Sequence, residues 1–234
     1  MTFAPWFAAL GTVDRVPFTE AAERYGACAP DGLDDTNSDC FGDDLDEVLV
    51  HRGTVRHAGD LVIASETHQP VCHGGDCGIH VLDGDLTVDG TLVFTEWDQA
   101  NVLIVTGDLR VGNLLVEDEA HLYVGGALRV EGLLVSGLSH GGMLAVAGET
   151  TAEACLCAGP VREPMVLFGS LPTHPREPDR MVDLTGVDQA RLVRPELLDA
   201  SGRWADRAKT RTALLEGRPV LRHTGLRAED AGRL

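Results

Sequence analysis

The densest group of reactive side chains lies in His68-Gln-Pro-Val-Cys72-His73-Gly-Gly-Asp76-Cys77-Gly-Ile-His80. Thiolates and imidazoles are the donors that zinc prefers, and the glycines allow a loop to close around an ion. His68, Cys72, His73 and Cys77 are therefore the candidate metal ligands. A local Cys72–Cys77 disulfide and a plain solvated loop are the alternatives, because four residues between the cysteines exceed the common zinc spacing. Asp35-Thr-Asn37-Ser-Asp39 has the one-three-five oxygen spacing of a calcium loop. Cys40 stands where that loop needs Gly and Asp46 where it needs Glu, so an acidic flexible loop is the competing reading. Cys155 and Cys157 alternate on an expected strand, which favours packing as small apolar residues over redox work. The 9 His are scattered. No Ser/His/Asp or Cys/His arrangement, phosphate loop or dinucleotide fingerprint is legible. The chemistry favours a non-enzymatic protein, with a metal-binding enzyme as the last alternative.

These residues must be positioned by a repeat. Four segments align on a glycine: His80-Val-Leu-Asp-Gly84-Asp-Leu-Thr-Val, Leu103-Ile-Val-Thr-Gly107-Asp-Leu-Arg-Val, Leu122-Tyr-Val-Gly-Gly126-Ala-Leu-Arg-Val and Leu144-Ala-Val-Ala-Gly148-Glu-Thr-Thr-Ala. A weaker copy centres on Gly59, and the successive glycines are 25, 23, 19 and 22 residues apart. Around each of the four stronger glycines the same apolar columns recur: Leu82/Val105/Val124/Val146, Leu86/Leu109/Leu128 and Val88/Val111/Val130. A further column is expected at Leu92/Leu115/Leu134/Leu156, with Cys157 following Val93, Val116 and Val135. Period two within each unit means strands, and recurrence between units means that like stacks on like. Glycine falls where the alternation bends, and it is the residue that permits a corner.

The fold expected is mainly β: a single-stranded β-solenoid, a right-handed β-helix of about five coils, roughly 24 Å tall at ~4.8 Å per coil. Three segments follow: a cap over 1–50 with a short helix and an acidic loop, the solenoid over 51–170, and a Pro-rich linker with a helical cap over 171–234. Pro17–Gly26 reads as the N-terminal helix, with Thr19 as N-cap. Pro195 opens a C-terminal helical stripe in which Trp204 and its neighbours are expected to cover the last coil. The variable coil lengths put the insertions 65–77 and 94–100 at one corner, where repeat proteins often bind. Trp97, Asp98, His73 and Asp76 are the candidate contacts for a protein partner.

The units Leu82-Asp-Gly-Asp-Leu-Thr-Val-Asp-Gly-Thr-Leu-Val and Val105-Thr-Gly-Asp-Leu-Arg-Val-Gly-Asn-Leu-Leu-Val resemble the repeats of bactofilins, bacterial cytoskeletal β-helix proteins that polymerise. The resemblance covers about residues 80–159. It implies a right-handed β-helix and end-to-end filaments.

Net charge narrows the partners. The chain carries −18 overall, and residues 1–159 hold 26 acids against 6 Arg. Such a surface repels nucleic acid and suits a cationic protein, self-association or simple solubility. An immunity-type protein blocking a basic toxin is a further alternative. No apolar run approaches the ~18 residues that span a bilayer, and no basic leader precedes the apolar start. A soluble cytoplasmic protein is expected.

Overall fold

A computed structural model describes residues 9–29, 32–41, 45–64, 78–96, 101–138, 142–157, 182–183 and 189–222. In chain order, β1 (Val13–Pro17), α1 (Phe18–Tyr25) and α2 (Leu33–Phe41) precede the windings. The windings run through β2 (Glu47–Arg52), β3 (Val55–His57), β4 (Leu61–Ala64), β5 (Ile79–Asp83), β6 (Leu86–Glu96), β7 (Val102–Val105) and β8 (Leu109–Asp118). They continue through β9 (His121–Val124), β10 (Leu128–Val130), β11 (Leu133–Leu138), β12 (Met143–Val146), β13 (Thr150–Thr151) and β14 (Ala154–Cys157). The chain closes with β15 (Val182–Asp183), α3 (Gln189–Leu192), a 3-10 turn at Pro195–Leu197, and α4 (Arg207–Leu215).

The protein is mainly β, and its body is a parallel-stranded β-solenoid. One sheet runs β1-β2-β5-β7-β9-β12 and forms the first face. A second sheet bends along the long strands β6 and β8. Their leading halves pair with β3 and β10 to make a second face, and their trailing halves pair with β4 and β11 to make a third. Among the described residues the windings pair in parallel, while β1 lies antiparallel along β2 with Val13 opposite His51 and Pro17 opposite Glu47.

The expected columns are real ladders over the first two faces. Leu82 pairs with Val105, Val105 with Val124, and Val124 with Val146. Leu86, Leu109 and Leu128 stack likewise. On the third face the expected column slips by one residue. Leu92 pairs with Leu114, Leu114 with Leu134, and Leu134 with Cys155. Leu115 and Leu156 belong to the next column, with Val93 and Val135, and Cys157 lies in register with Ser136 rather than Val135. Two insertions cause it: β6 spends two residues, Asp89 and Gly90, between Val88 and Thr91, where β8 spends only Gly112, and the stretch from Val130 to Leu134 is likewise one residue longer than the stretch from Val111 to Leu114 with which it pairs. An inserted residue shifts every later side chain to the other face.

This slip separates two cores. Leu92, Leu114, Leu134 and Cys155 point inward and join the central apolar column. Val93, Leu115, Val135 and Leu156 point outward, yet are buried beneath the C-terminal segment with Leu192, Leu197, Ala213 and Leu214. Strands buried on both sides lose polar alternation, so β7 reads Val-Leu-Ile-Val and all four residues are buried. Strict alternation survives on the second face, where Leu128 and Val130 are buried and Arg129 is exposed.

Both flanks cover outer sides of the solenoid, and the N-terminal one also inserts Leu10 into the central apolar column. The N-terminal segment lays Val16, Ala21, Tyr25 and Leu33 on the outer side of the first face, against Val50, Val81 and Ile104. Helix α1 spaces Phe18, Ala21, Ala22 and Tyr25 along one stripe, as an amphipathic helix requires. It starts one residue before the expected cap. Pro17, not Thr19, precedes the helix, and no side chain caps it. Pairing of β1 with β2 holds the chain extended through Pro17, and the Phe18 amide donates to the Asp46 carbonyl at 2.8 Å. The acidic stretch expected to be a loop is helix α2. The C-terminal segment, a strap over residues 189–222, packs along the third face across successive windings, the last one (Ala154, Leu156) included; Trp204 is half-buried within it. Its helix α4 is capped by Asp206, whose Oδ1 accepts from the Lys209 amide at 3.0 Å.

Candidate functional site at the loop-bearing corner

The solenoid turns at unlike corners. Between the first and second faces the turn is short and repeats as Gly84-Asp85, Gly107-Asp108, Gly126-Ala127 and Gly148-Glu149. Glycine is required here because the backbones stack closely. A Cβ on Gly126 would lie 2.6 Å from the Gly107 carbonyl carbon, and one on Gly148 2.5 Å from the Gly126 oxygen. The Asp that follows stitches one winding to the next. Asp85 Oδ1 accepts from the Asp108 amide and Asp108 Oδ1 from the Ala127 amide, each at 2.8 Å. That amide bond, with the Arg129 guanidinium, holds the Asp108 carboxyl below its ordinary range. The Gly-Asp repeat is thus architecture.

Between the third and first faces the connections vary. Residues 65–77 join β4 to β5, 97–100 join β6 to β7, Glu119 and Ala120 join β8 to β9, and 139–142 join β11 to β12. Here polar groups are buried. Glu96 is 1% exposed and Asn101 7%. The Asn101 amide donates to Glu96 Oε1 at 2.9 Å, while its Oδ1 accepts from the Gly78 amide at 3.3 Å. Next to them Asp118 holds a positive φ of 57°, a conformation that costs a non-glycine residue about 1 kcal/mol or more. Its carboxylate accepts from the Thr95 hydroxyl at 3.2 Å and from Arg207 Nη1 of α4 at 2.6 Å.

Glu117 is the most perturbed acid in this cluster. It lies on the outward row of the third face and is 4% exposed beneath the strap. Burial pushes its pKa up to about 7; Asp118 adds to the rise, while Arg207 and Arg211 oppose it. A carboxyl titrating near neutrality can exchange a proton under ordinary conditions. No nucleophile or cavity stands against it among the described residues, so the arrangement is suited to controlling a contact.

A second buried titratable group sits in the core. His51 and His80 replace the ladder's leucine and valine on β2 and β5, both with no exposed surface. The rings stack with centroids 5.7 Å apart, and His51 Nε2 lies 3.4 Å from His80 Nδ1. Burial lowers both, His80 to about 3. His80 lies within β5, in register with Leu103.

His68, Cys72, His73, Asp76 and Cys77 lie outside the described residues, as do Trp97 and Asp98. In the sequence each segment follows a third-face strand and precedes a first-face strand. Of the calcium pattern, Asp35, Asn37 and Asp39 lie on helix α2. A helix turns residues two apart to different sides, which removes the loop geometry. Asn37 is buried and its Oδ1 accepts from the Leu45 amide at 3.3 Å. Among the described residues no group of three or more His, Cys, Asp or Glu is arranged to hold a metal ion. Cys155 packs in the central core.

Glu96, Asn101, Glu117 and Arg207 escaped sequence reading. The available signal was the acid run Glu117-Asp118-Glu119 at the end of a repeat, opposite Glu96 of the preceding one. Comparison of the chain with protein-family models, with curated proteins and with solved structures finds no match.

Proposed function

We propose that this chain is a non-enzymatic β-solenoid that acts as a structural or protein-binding module through its loop-bearing corner. Adjacent parallel strands β2, β5, β7, β9 and β12 support a body of about five coils. The observation that carries the reading is the division of the surface. The chain's own flanks cover the first and third faces, and residues 65–77 and 97–100 each lie in the sequence between a third-face strand and a first-face strand. Loops held by a rigid scaffold are where repeat proteins bind. Trp97 and Asp98, with His73 and Asp76, are the proposed contacts; an aromatic among acids suits a cationic protein surface. A net charge of −18 disfavours nucleic acid. Among the described residues no helix is long and apolar enough to cross a membrane.

The test is affinity capture with wild type and Trp97→Ala as paired baits, after circular dichroism has shown equal folding. A protein retained by wild type and lost by the variant supports the reading. Identical capture by both, or none by either, overturns it.

A second reading is a bactofilin-like scaffold that self-associates. It draws on β12, which ends the six-stranded sheet and offers a parallel edge. Light scattering over a concentration series, with electron micrographs, separates the two. Growing mass and filaments put the scaffold first; a fixed mass removes it.

A further inference from the structure

The seam between the strap and the third face combines features that a permanent seam would not need. Its apolar part is ordinary: Leu214 and Ala213 lie over Val93, Leu115 and Leu156. At its loop-corner end, however, it buries Glu117, whose Oε1 has no hydrogen-bond partner among the described residues. Its ladder neighbour Gly137 lies close by: a Cβ added there would be in ordinary contact with Oε1 at 3.5 Å and with Arg207 Nε at 3.6 Å. The charged groups facing Glu117 are Arg207 and Arg211 from α4 and Asp118 from its own strand. The other ladder neighbour, Thr95, is neutral and its hydroxyl is committed to Asp118. Arg207 is also committed to Asp118, at 2.6 Å. A buried carboxylate would therefore lack a hydrogen-bonding partner of its own, whereas a buried carboxylic acid carries no charge to compensate.

We propose that residues 189–222 form a pH-gated cover on the solenoid, fastened when Glu117 is protonated and loosened when it ionises. Loosening exposes the outward row Val93, Leu115, Val135 and Leu156, a flat apolar surface that the chain otherwise keeps from water. The sign follows from proton linkage. Glu117 titrates near 7 under the strap and at its ordinary 4.5 once exposed. The open form therefore releases its proton first, so closure weakens as pH rises from 4.5 to 7 and levels off above that. From pH 5.5 to 8.5 the closing equilibrium falls about 30-fold on these two values.

Amide hydrogen exchange of the whole protein reads this directly, with rates corrected for intrinsic pH dependence. Protection across α4 should fall about 30-fold in wild type from pH 5.5 to 8.5, while β7 and β9 hold theirs. Glu117→Gln, close in shape and never charged, should keep α4 protected at both pH values. Equal protection of wild-type α4 at the two values overturns the proposal. So does a fall that persists in Glu117→Gln. A carboxyl NMR titration of wild type supplies a readout independent of any variant: a Glu117 midpoint near 7 supports the gate, and one near 4.5 overturns it.

Discussion

Two of the three corners of this solenoid follow opposite rules. At the tight corner a glycine admits its neighbour's backbone at each level, and at two of the four levels an aspartate accepts the next winding's amide. At the loop-bearing corner no two windings agree, and carboxylates are buried beside a backbone in the left-handed region. Regularity here marks what holds the stack together. Departure from it marks where something other than stability has shaped the chain.

The largest expected effect lies on the strands between the corners. His51 and His80 are buried and titrate below their ordinary value, so the unfolded chain takes up protons that the folded chain refuses. Stability is then full above about pH 6.5 and falls as pH drops toward 3. His80 alone should remove about 3 kcal/mol by pH 4.5. Urea denaturation at pH 7.5 and 4.5 measures it. The double variant His51→Val/His80→Leu, which restores the ladder residues, should flatten that part of the profile. If it leaves the profile unchanged, the acid sensitivity belongs to the carboxylates of the corners instead.

Next comes the tight corner. Gly126→Ala places a Cβ against the Gly107 backbone, and the windings must part to admit it. The cost should be about 2 kcal/mol, read as a lower denaturation midpoint. A cost near zero would mean that the corner yields and that its glycines are dispensable. Asp108→Ala should cost less, about 1 kcal/mol, because it removes one bond to the Ala127 amide and a surface pair with Arg129. The smallest expected change is at the loop-bearing corner: Trp97→Ala should alter stability by no more than about 0.5 kcal/mol while abolishing partner capture. A large loss of stability there would erase the contrast between the corners and make Trp97 part of the core.

Much of this architecture was legible in the residues. Period-two patterning at Leu86/Val88, Leu109/Val111 and Leu128/Val130, recurring at each glycine, determined the strands, their parallel stacking and the inward ladders. It did so because stacked windings bring like positions into contact, and the contact selects for like residues. The same reasoning failed at the bulge after Val88. One residue added there puts Leu115 in the outer column, a second one added between Val130 and Leu134 does the same to Leu156, and a constant spacing could not reveal either. Only the tertiary structure decided where the flanks lie. Apolar stripes in α1 and α4 record that some surface must cover them, but not that the outer sides of the first and third faces do so. The cluster of buried Glu96, Asn101 and Glu117 with the exposed Arg207 was likewise hidden. Its members come from separate windings and from a segment about 90 residues further along the chain, and a carboxylate's burial is a property of what packs over it. Local sequence sets which faces a strand offers; the closing of distant segments over those faces sets which charges lose their water.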